Sequence, residues 1–177
     1  KNQYTPDDER VSAIENTGDY IFLSSTYCIK YNYLFTHYSR HENLIAQINT
    51  KLGDIEHNTQ KIEETIRKIG DQADVIVFPE MAITGYPLND LLDDEDMVKR
   101  QKEAVYRIRD LVSQTNEHLK VILGCIDYNE SEVLPSGEMK KYNAAAIIGK
   151  DVQMYHKRLL PNYDVFFEQR YFTPGTE

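Results

Sequence analysis

Three short, largely apolar runs set the frame of this chain: Leu44-Ile45-Ala46-Gln47-Ile48-Asn49, Val75-Ile76-Val77-Phe78 and Val121-Ile122-Leu123-Gly124-Cys125-Ile126. Each has the length and β-branched content of a buried strand. Two stretches with helical spacing separate them. In the first, Ile55, Thr59, Ile62, Ile66 and Ile69 fall on one face, with Asp54 placed to cap the start and Gly70 to stop the end. In the second, Met97, Ala104, Ile108, Leu111 and Val112 share a face. Pro135-Ser136-Gly137-Glu138 marks a turn. Asn143–Ile148 and Val152–His156 then flank Gly149-Lys150 and read as a hairpin. Strands that alternate with amphipathic helices form an α/β sheet, and 177 residues suffice for one domain with a real core.

The first part of the chain does not follow this pattern. Residues 1–18 are polar, carry Pro6 and Gly18, and read as poorly ordered. Further on, Tyr27, Ile29, Tyr31, Tyr33 and Phe35 alternate with Cys28, Lys30 and Asn32, which is strand periodicity. Six of the thirteen tyrosines lie in the first forty residues, so the composition changes before the regular part begins. This divides the chain into a segment 1–42, either an added edge hairpin or foreign to the domain, and an α/β domain 43–177.

Several function classes fall away. The net charge is −9 with no clustered basic patch, which argues against nucleic acid and against an anionic membrane as partners. Two cysteines, Cys28 and Cys125, are too few for a disulfide framework and suit a reducing compartment. No apolar run has the length of a membrane span and no signal-peptide pattern is visible, so a cytoplasmic protein is expected. The first residue is Lys1 and not methionine, so an N-terminus that was cut, or one that starts further upstream, is expected. None of the five histidines has metal-ligand spacing with Cys or carboxylates, so no metal site is expected. The acidic run Asp90 to Asp96 lacks calcium-loop spacing and reads as a solvated loop.

Two residues stand where chemistry could occur. Pro79 cannot donate to a sheet ladder and ends the second run, which leaves Glu80 at the C-terminal mouth of a strand. A carboxylate there can act as a general base, or simply bond the backbone at a strand end. Lys157 likewise leaves a strand ahead of a proline turn, in Tyr155-His156-Lys157-Arg158-Leu159-Leu160-Pro161-Asn162-Tyr163. Brought together, an ammonium and a carboxylate could stabilise an oxyanion and move a proton. Alone, such a lysine is a solvated cation.

Four stretches carry a resemblance. They are Ile45-Ala46-Gln47-Ile48-Asn49 with Gly53-Asp54 and Asn58; Phe78-Pro79-Glu80 with Thr84-Gly85-Tyr86-Pro87 and Asp90-Leu91-Leu92; Tyr142-Asn143-Ala144-Ala145-Ala146; and Lys157 with Leu160-Pro161-Asn162-Tyr163, Val165-Phe166, Glu168, Arg170-Tyr171-Phe172 and Pro174-Gly175. Together they resemble the nitrilase, or carbon–nitrogen hydrolase, superfamily, and within it the glutaminase domain of glutamine-dependent NAD synthetases. The resemblance spans about residues 43 to 177 and implies part of a four-layer α-β-β-α sandwich.

The same resemblance implies roles. Glu80 corresponds to the general base, Lys157 to the lysine that stabilises the tetrahedral intermediate, and Glu168 to a second glutamate that positions the lysine. Tyr163 and Phe166 correspond to residues of the glutamine pocket. The implied reaction is attack of a cysteine thiolate on the glutamine side-chain amide, loss of ammonia, and hydrolysis of a thioester. Glutamine is the implied substrate, and the ammonia goes to a synthetase domain that amidates deamido-NAD. The glutaminase half needs no cofactor; ATP and Mg belong to the synthetase domain. Homo-oligomers are also implied.

The nucleophilic cysteine of that family lies beyond the lysine motif, so Glu177 is expected to precede it. Cys125, inside an apolar strand, reads as a packed and inert thiol. Half a sandwich is expected to expose one sheet face. Other readings are an inactive binding or assembly module and a nitrilase-type amidase for a different amide.

Overall fold

The structure, a computed structural model, describes residues 11–16, 20–25 and 43–176. Its centre is a seven-stranded sheet in the order β1-β2-β3-β4-β5-β6-β7. The strands are β1 (Val11–Asn16), β2 (Tyr20–Ser25), β3 (Asn43–Ile48), β4 (Val75–Val77), β5 (Lys120–Val133), β6 (Met139–Ile148) and β7 (Val152–His156). Strands β3, β4 and β5 are parallel, and every other pair is antiparallel.

The parallel part follows from the two helices. α1 (Ile55–Ile69) links β3 to β4, and α2 (Glu95–Thr115) links β4 to β5. Two successive right-handed crossovers between neighbouring parallel strands put both helices on one face of the sheet. Asp54 caps α1 by accepting from the His57 N–H at 3.1 Å, and Gly70 ends it. The expected apolar stripes are the buried ones. Ile62 and Ile66 of α1 and Val105, Ile108 and Val112 of α2 pack on Ala46, Ile48, Ile76, Val121, Leu123 and Ile148 of the sheet.

The opposite face is open. In register across the sheet, Ile45, Val77, Ile122 and Ile147 form one row. Ile45 is 48 % exposed and Ile147 37 %, and Tyr155, nearby on β7, is 54 % exposed. One helix layer and one sheet layer are therefore present among the described residues. Among them, no helix is long and apolar enough to cross a membrane.

Three details differ from expectation. The segment 1–18 reads as poorly ordered, yet within it residues 11–16 form β1, because pairing with β2 supplies a ladder that composition does not reveal; the rest of the segment lies outside the described residues. The alternating Tyr27–Phe35 run lies outside the described residues. The acidic run is solvated as expected, with Asp90, Asp93, Asp94 and Asp96 exposed, but it is not an irregular loop. It forms a 3-10 turn (Asn89–Asp93), and Asp94 then caps α2 by accepting from the Asp96 and Met97 N–H groups. Carboxylates suit a helix start, where backbone N–H groups lack partners. Strands β5 and β6 also run further than their apolar centres. Their polar arms, out to the Val133–Met139 pair, form a hairpin that needs no core on both sides.

Helix α2 also buries Gln101 completely. Its side-chain amide accepts from the Ile126 N–H at 3.2 Å and donates to the Ile126 carbonyl. Strand β4 has ended at this level, so one side chain stands in for the missing strand. Removing it leaves two buried backbone groups without partners, which costs more than the bonds themselves contribute. Gln101→Leu is expected to lower unfolding free energy by about 3 kcal/mol, measured by urea denaturation; a loss below about 0.5 kcal/mol would show that those groups find other partners.

Candidate active site

Strand β4 stops at Val77, but its ladder does not. The Phe78 N–H donates to the Ile122 carbonyl, the Gly124 N–H to the Pro79 carbonyl at 3.0 Å, and the Ala82 N–H to the Gly124 carbonyl at 2.9 Å. The turn carrying Glu80 is thus strapped to β5 at Gly124. A Cβ at Gly124 would lie 2.4 Å from both Glu80 Cα and Met81 N, so only glycine admits this approach. Met81 takes a φ of 49°, a left-handed conformation that is costly for a side chain of this size. Beyond it, the Asn58 side chain donates to the Ile83 carbonyl at 2.9 Å, and the Gly53 N–H donates to the Thr84 carbonyl at 2.7 Å. The loop is held from both sides, and Glu80 with it.

Lys157 follows β7 directly. Its backbone N–H donates to the Asn143 carbonyl at 2.8 Å, and the Gly175 N–H returns to the Lys157 carbonyl at 2.9 Å. One residue earlier, His156 Nε2 lies 2.8 Å from Asp127 Oδ2, and its ring stacks on Tyr142 with centroids 4.1 Å apart. These contacts pin the end of β7 across β6.

The structure brings the sequence-predicted residues together. Lys157 Nζ donates to Glu80 Oε1 at 3.0 Å and to Glu168 Oε1 at 3.1 Å. It also lies 3.0 Å from Glu168 Oε2, an ion-pair contact; that buried oxygen accepts no hydrogen bond from the described residues. Glu168 is 4 % exposed, whereas the Glu80 side chain is 45 % exposed. Burial opposes the Lys157 charge, but hydrogen bonds and attraction from Glu80 and Glu168 outweigh it and hold its pKa above the ordinary value of 10.5. One ammonium between two carboxylates is a group that can stabilise an oxyanion beside one that can take a proton.

Phe166 borders this region through Tyr86, and Tyr163 lies further out, 69 % exposed and in ring contact with Phe166. Their rings meet edge to face at 5.8 Å, and Phe166 lies 6.4 Å from Tyr86. Tyr86 donates its hydroxyl to Glu168 Oε1 at 2.9 Å. Burial first, and then the Glu168 carboxylate, raise the Tyr86 pKa far above the ordinary phenol range, so it remains a donor. Tyr171 adds a second fastener by donating to Asp90 Oδ1 at 2.6 Å.

Cys125 is not part of this cluster. It pairs with Ala144 in the sheet, while Asn143, which contacts Glu80, pairs with Ile126. Adjacent residues of a strand point to opposite faces, so Cys125 faces the helix side, where its Sγ lies 4.0 Å from Met154 Sδ. Burial pushes its thiol up to about 12. Among the described residues no group of three or more His, Cys, Asp or Glu could hold a metal ion.

Sequence reading left three residues without a role: Gly124, Tyr86 and Asn143, whose side chain donates to Glu80 Oε1 at 2.5 Å. Each acts across a long separation in sequence; Tyr86 and Asn143 stand in the stretches that carry the resemblance, and Gly124 is marked as a glycine in an otherwise apolar strand.

Two outcomes follow. Gly124→Ala is expected to cost about 2 kcal/mol or more, because the clash is with backbone; equal stability by denaturation would mean the Glu80 turn can move away. A folded lysine pKa above the unfolded value gives stability that is full below 10.5 and is lost as pH rises through the folded value. The stability gap between wild type and Lys157→Met should therefore be level near neutral pH and narrow in the alkaline range. A gap that widens there would contradict the pairing.

Comparisons with known proteins match this architecture. The carbon–nitrogen hydrolase family model matches residues 45–177. The glutamine-dependent NAD(+) synthetase of Acinetobacter baylyi is 34 % identical over 134 residues, which cover 74 % of this chain and 23 % of that protein. That of Aquifex aeolicus is 36 % identical over 135 residues, 75 % of this chain and 22 % of its own length. The chain thus spans under a quarter of these relatives. Among solved structures, the Acinetobacter baumannii glutamine-dependent NAD+ synthetase in complex with ADP superposes with a TM-score of 0.61 at 32 % identity, covering 71 % of this chain and 22 % of that one. A variant of the amidase from Nesterenkonia sp. AN1 in complex with acrylamide gives a TM-score of 0.64 at 18 % identity, covering 81 % of this chain and 52 % of that one. The latter is a likeness of fold, and it places the sheet and helices described above within the nitrilase architecture. By sequence and by fold, this chain belongs to the carbon–nitrogen hydrolase family.

Proposed function

We propose that this chain is part of a glutaminase that releases ammonia from glutamine for the ATP-dependent amidation of deamido-NAD. The observation that carries the reading is the Glu80–Lys157–Glu168 cluster, with Lys157 within 3.1 Å of both carboxylates. Its relatives are named glutamine-dependent NAD(+) synthetases, which supports the choice of glutamine among amides.

In this reading a cysteine thiol gives its proton to Glu80, and the thiolate attacks the glutamine side-chain amide. Lys157 stabilises the oxyanion of the tetrahedral intermediate. Glu80 returns the proton to the leaving nitrogen, ammonia departs, and water cleaves the thioester to give glutamate. Glu168 holds Lys157, and Tyr86 holds Glu168. Tyr163 and Phe166 form a wall of the glutamine pocket. The thiolate is not that of Cys125, which is buried on the other face with its proton firmly held. No cofactor takes part in these steps; ATP and Mg serve the synthetase domain that receives the ammonia. The protein works in the cytoplasm as a homo-oligomer.

The inert Cys125 and the open sheet face favour one second reading, a nitrilase-like module that binds or assembles without turnover. Glutamine titrated into the chain separates the two. In the glutaminase reading, glutamine perturbs the NMR signals of Tyr163 and Phe166, and Tyr163→Ala weakens binding by about tenfold, or about 1.4 kcal/mol. No perturbation at saturating glutamine would favour the assembly module. Ammonia release is expected only where a thiolate other than that of Cys125 reaches Glu80, so its loss in Cys125→Ser would count against this assignment.

A further inference from the structure

We infer that Asn143 is a positioning residue that fixes Glu80 relative to Lys157 and leaves one chosen oxygen of Glu80 to take the proton. The inference rests on the reading of Glu80 as a base and gives a role to a residue that stands in one of the quoted stretches but has no part in the proposed chemistry.

Asn143 sits on β6 and is 3 % exposed. It uses both its backbone and its side chain on the site. The backbone carbonyl accepts from the Lys157 N–H at 2.8 Å, and Nδ2 donates to Glu80 Oε1 at 2.5 Å. Lys157 Nζ closes the triangle by donating to the same Oε1 at 3.0 Å. The three residues thus fix one another, but not equally. The Lys157 side chain is long and 32 % exposed, and that of Glu80 is 45 % exposed. Lys157 is also tied to the buried Glu168, so without Asn143 Glu80 is the side chain that could swing into water. Asn143 is short, buried and fixed in a strand between β5 and β7, paired with Ile126. It is the rigid corner.

The placement also separates the two carboxylate oxygens. A carboxylate oxygen has two lone pairs, and Oε1 receives two donors. Oε2 accepts no hydrogen bond from the described residues. Proton uptake therefore falls to Oε2, and Oε1 stays tied to the amide and the ammonium. An aspartate at 143 would set a second negative charge against Glu80, and a leucine of similar size would leave Oε1 to the Lys157 ammonium alone.

The test is amide hydrogen exchange of the Asn143 side chain in the full chain, with its signal assigned through Asn143→Leu. In the wild type one Nδ2 proton is expected to exchange at least about tenfold more slowly than in Glu80→Ala, the factor that a hydrogen bond to a charged acceptor supplies. Lys157→Met should leave that protection largely in place. Burial in the strand alone would protect the proton equally in wild type and Glu80→Ala, and equal rates would overturn the inference. Glu80 is exposed, so Glu80→Ala should fold even if Asn143→Leu does not. In that case the signal is assigned by selective labelling. The measurement uses no glutamine, so a protein that fails to bind glutamine but shows the exchange difference would refute the proposed function and keep Asn143 in its place.

Discussion

Burying a carboxylate as deeply as that of Glu168 is costly unless a cation and hydrogen bonds meet it. Lys157 and Tyr86 do so, and the arrangement of the site depends on that contact. Lys157 comes from the end of β7, Tyr86 from the loop after β4, and Glu168 from the four-residue helix α3 (Glu168–Tyr171). Three segments far apart in sequence are tied through one carboxyl group. Glu80 then takes its place on the exposed side of the same ammonium. A buried ion pair of this kind is weak evidence of stability, since an apolar set of similar volume could serve as well.

The backbone makes the contact possible. Glu80 reaches Lys157 because the turn that carries it lies against Gly124 with no room for a side chain between them. The lysine is held by β6 through the Asn143 carbonyl and by the returning chain at Gly175, where an added Cβ would lie 2.5 Å from the His156 carbonyl oxygen. Both ionised groups thus hang from strand ends fixed by backbone hydrogen bonds, and the side chains have little left to search. The helices α1 and α2 contribute indirectly. They bury one face of the sheet and fix the spacing of β3, β4 and β5, while Asn58 on α1 reaches over to hold the loop beyond Glu80.

Much of the fold was legible in the sequence, because strands and helices announce themselves by period. The three apolar runs, the two amphipathic stripes, the cap at Asp54 and the hairpin at Gly149-Lys150 all stand where the spacing put them, although β5 and β6 run four to seven residues past their apolar centres. What misled was composition. The polar stretch before β2 pairs as β1, and the acidic run 90–96 starts a helix, because a strand edge or a helix start can use polar residues that look like loop in isolation.

The candidate site divides along a different line. The sequence determined that a glutamate and a lysine would each leave a strand beside a proline turn, since that depends on neighbours in the chain. Only the tertiary structure decided that they meet, that Glu168 lies buried behind the lysine, and that Gly124, Tyr86 and Asn143 hold them. Those contacts join residues separated by 11 to 82 positions. No local pattern encodes such a pairing. It arises when sheet register and loop packing bring chain segments together, and register is set by the whole buried face rather than by any one residue.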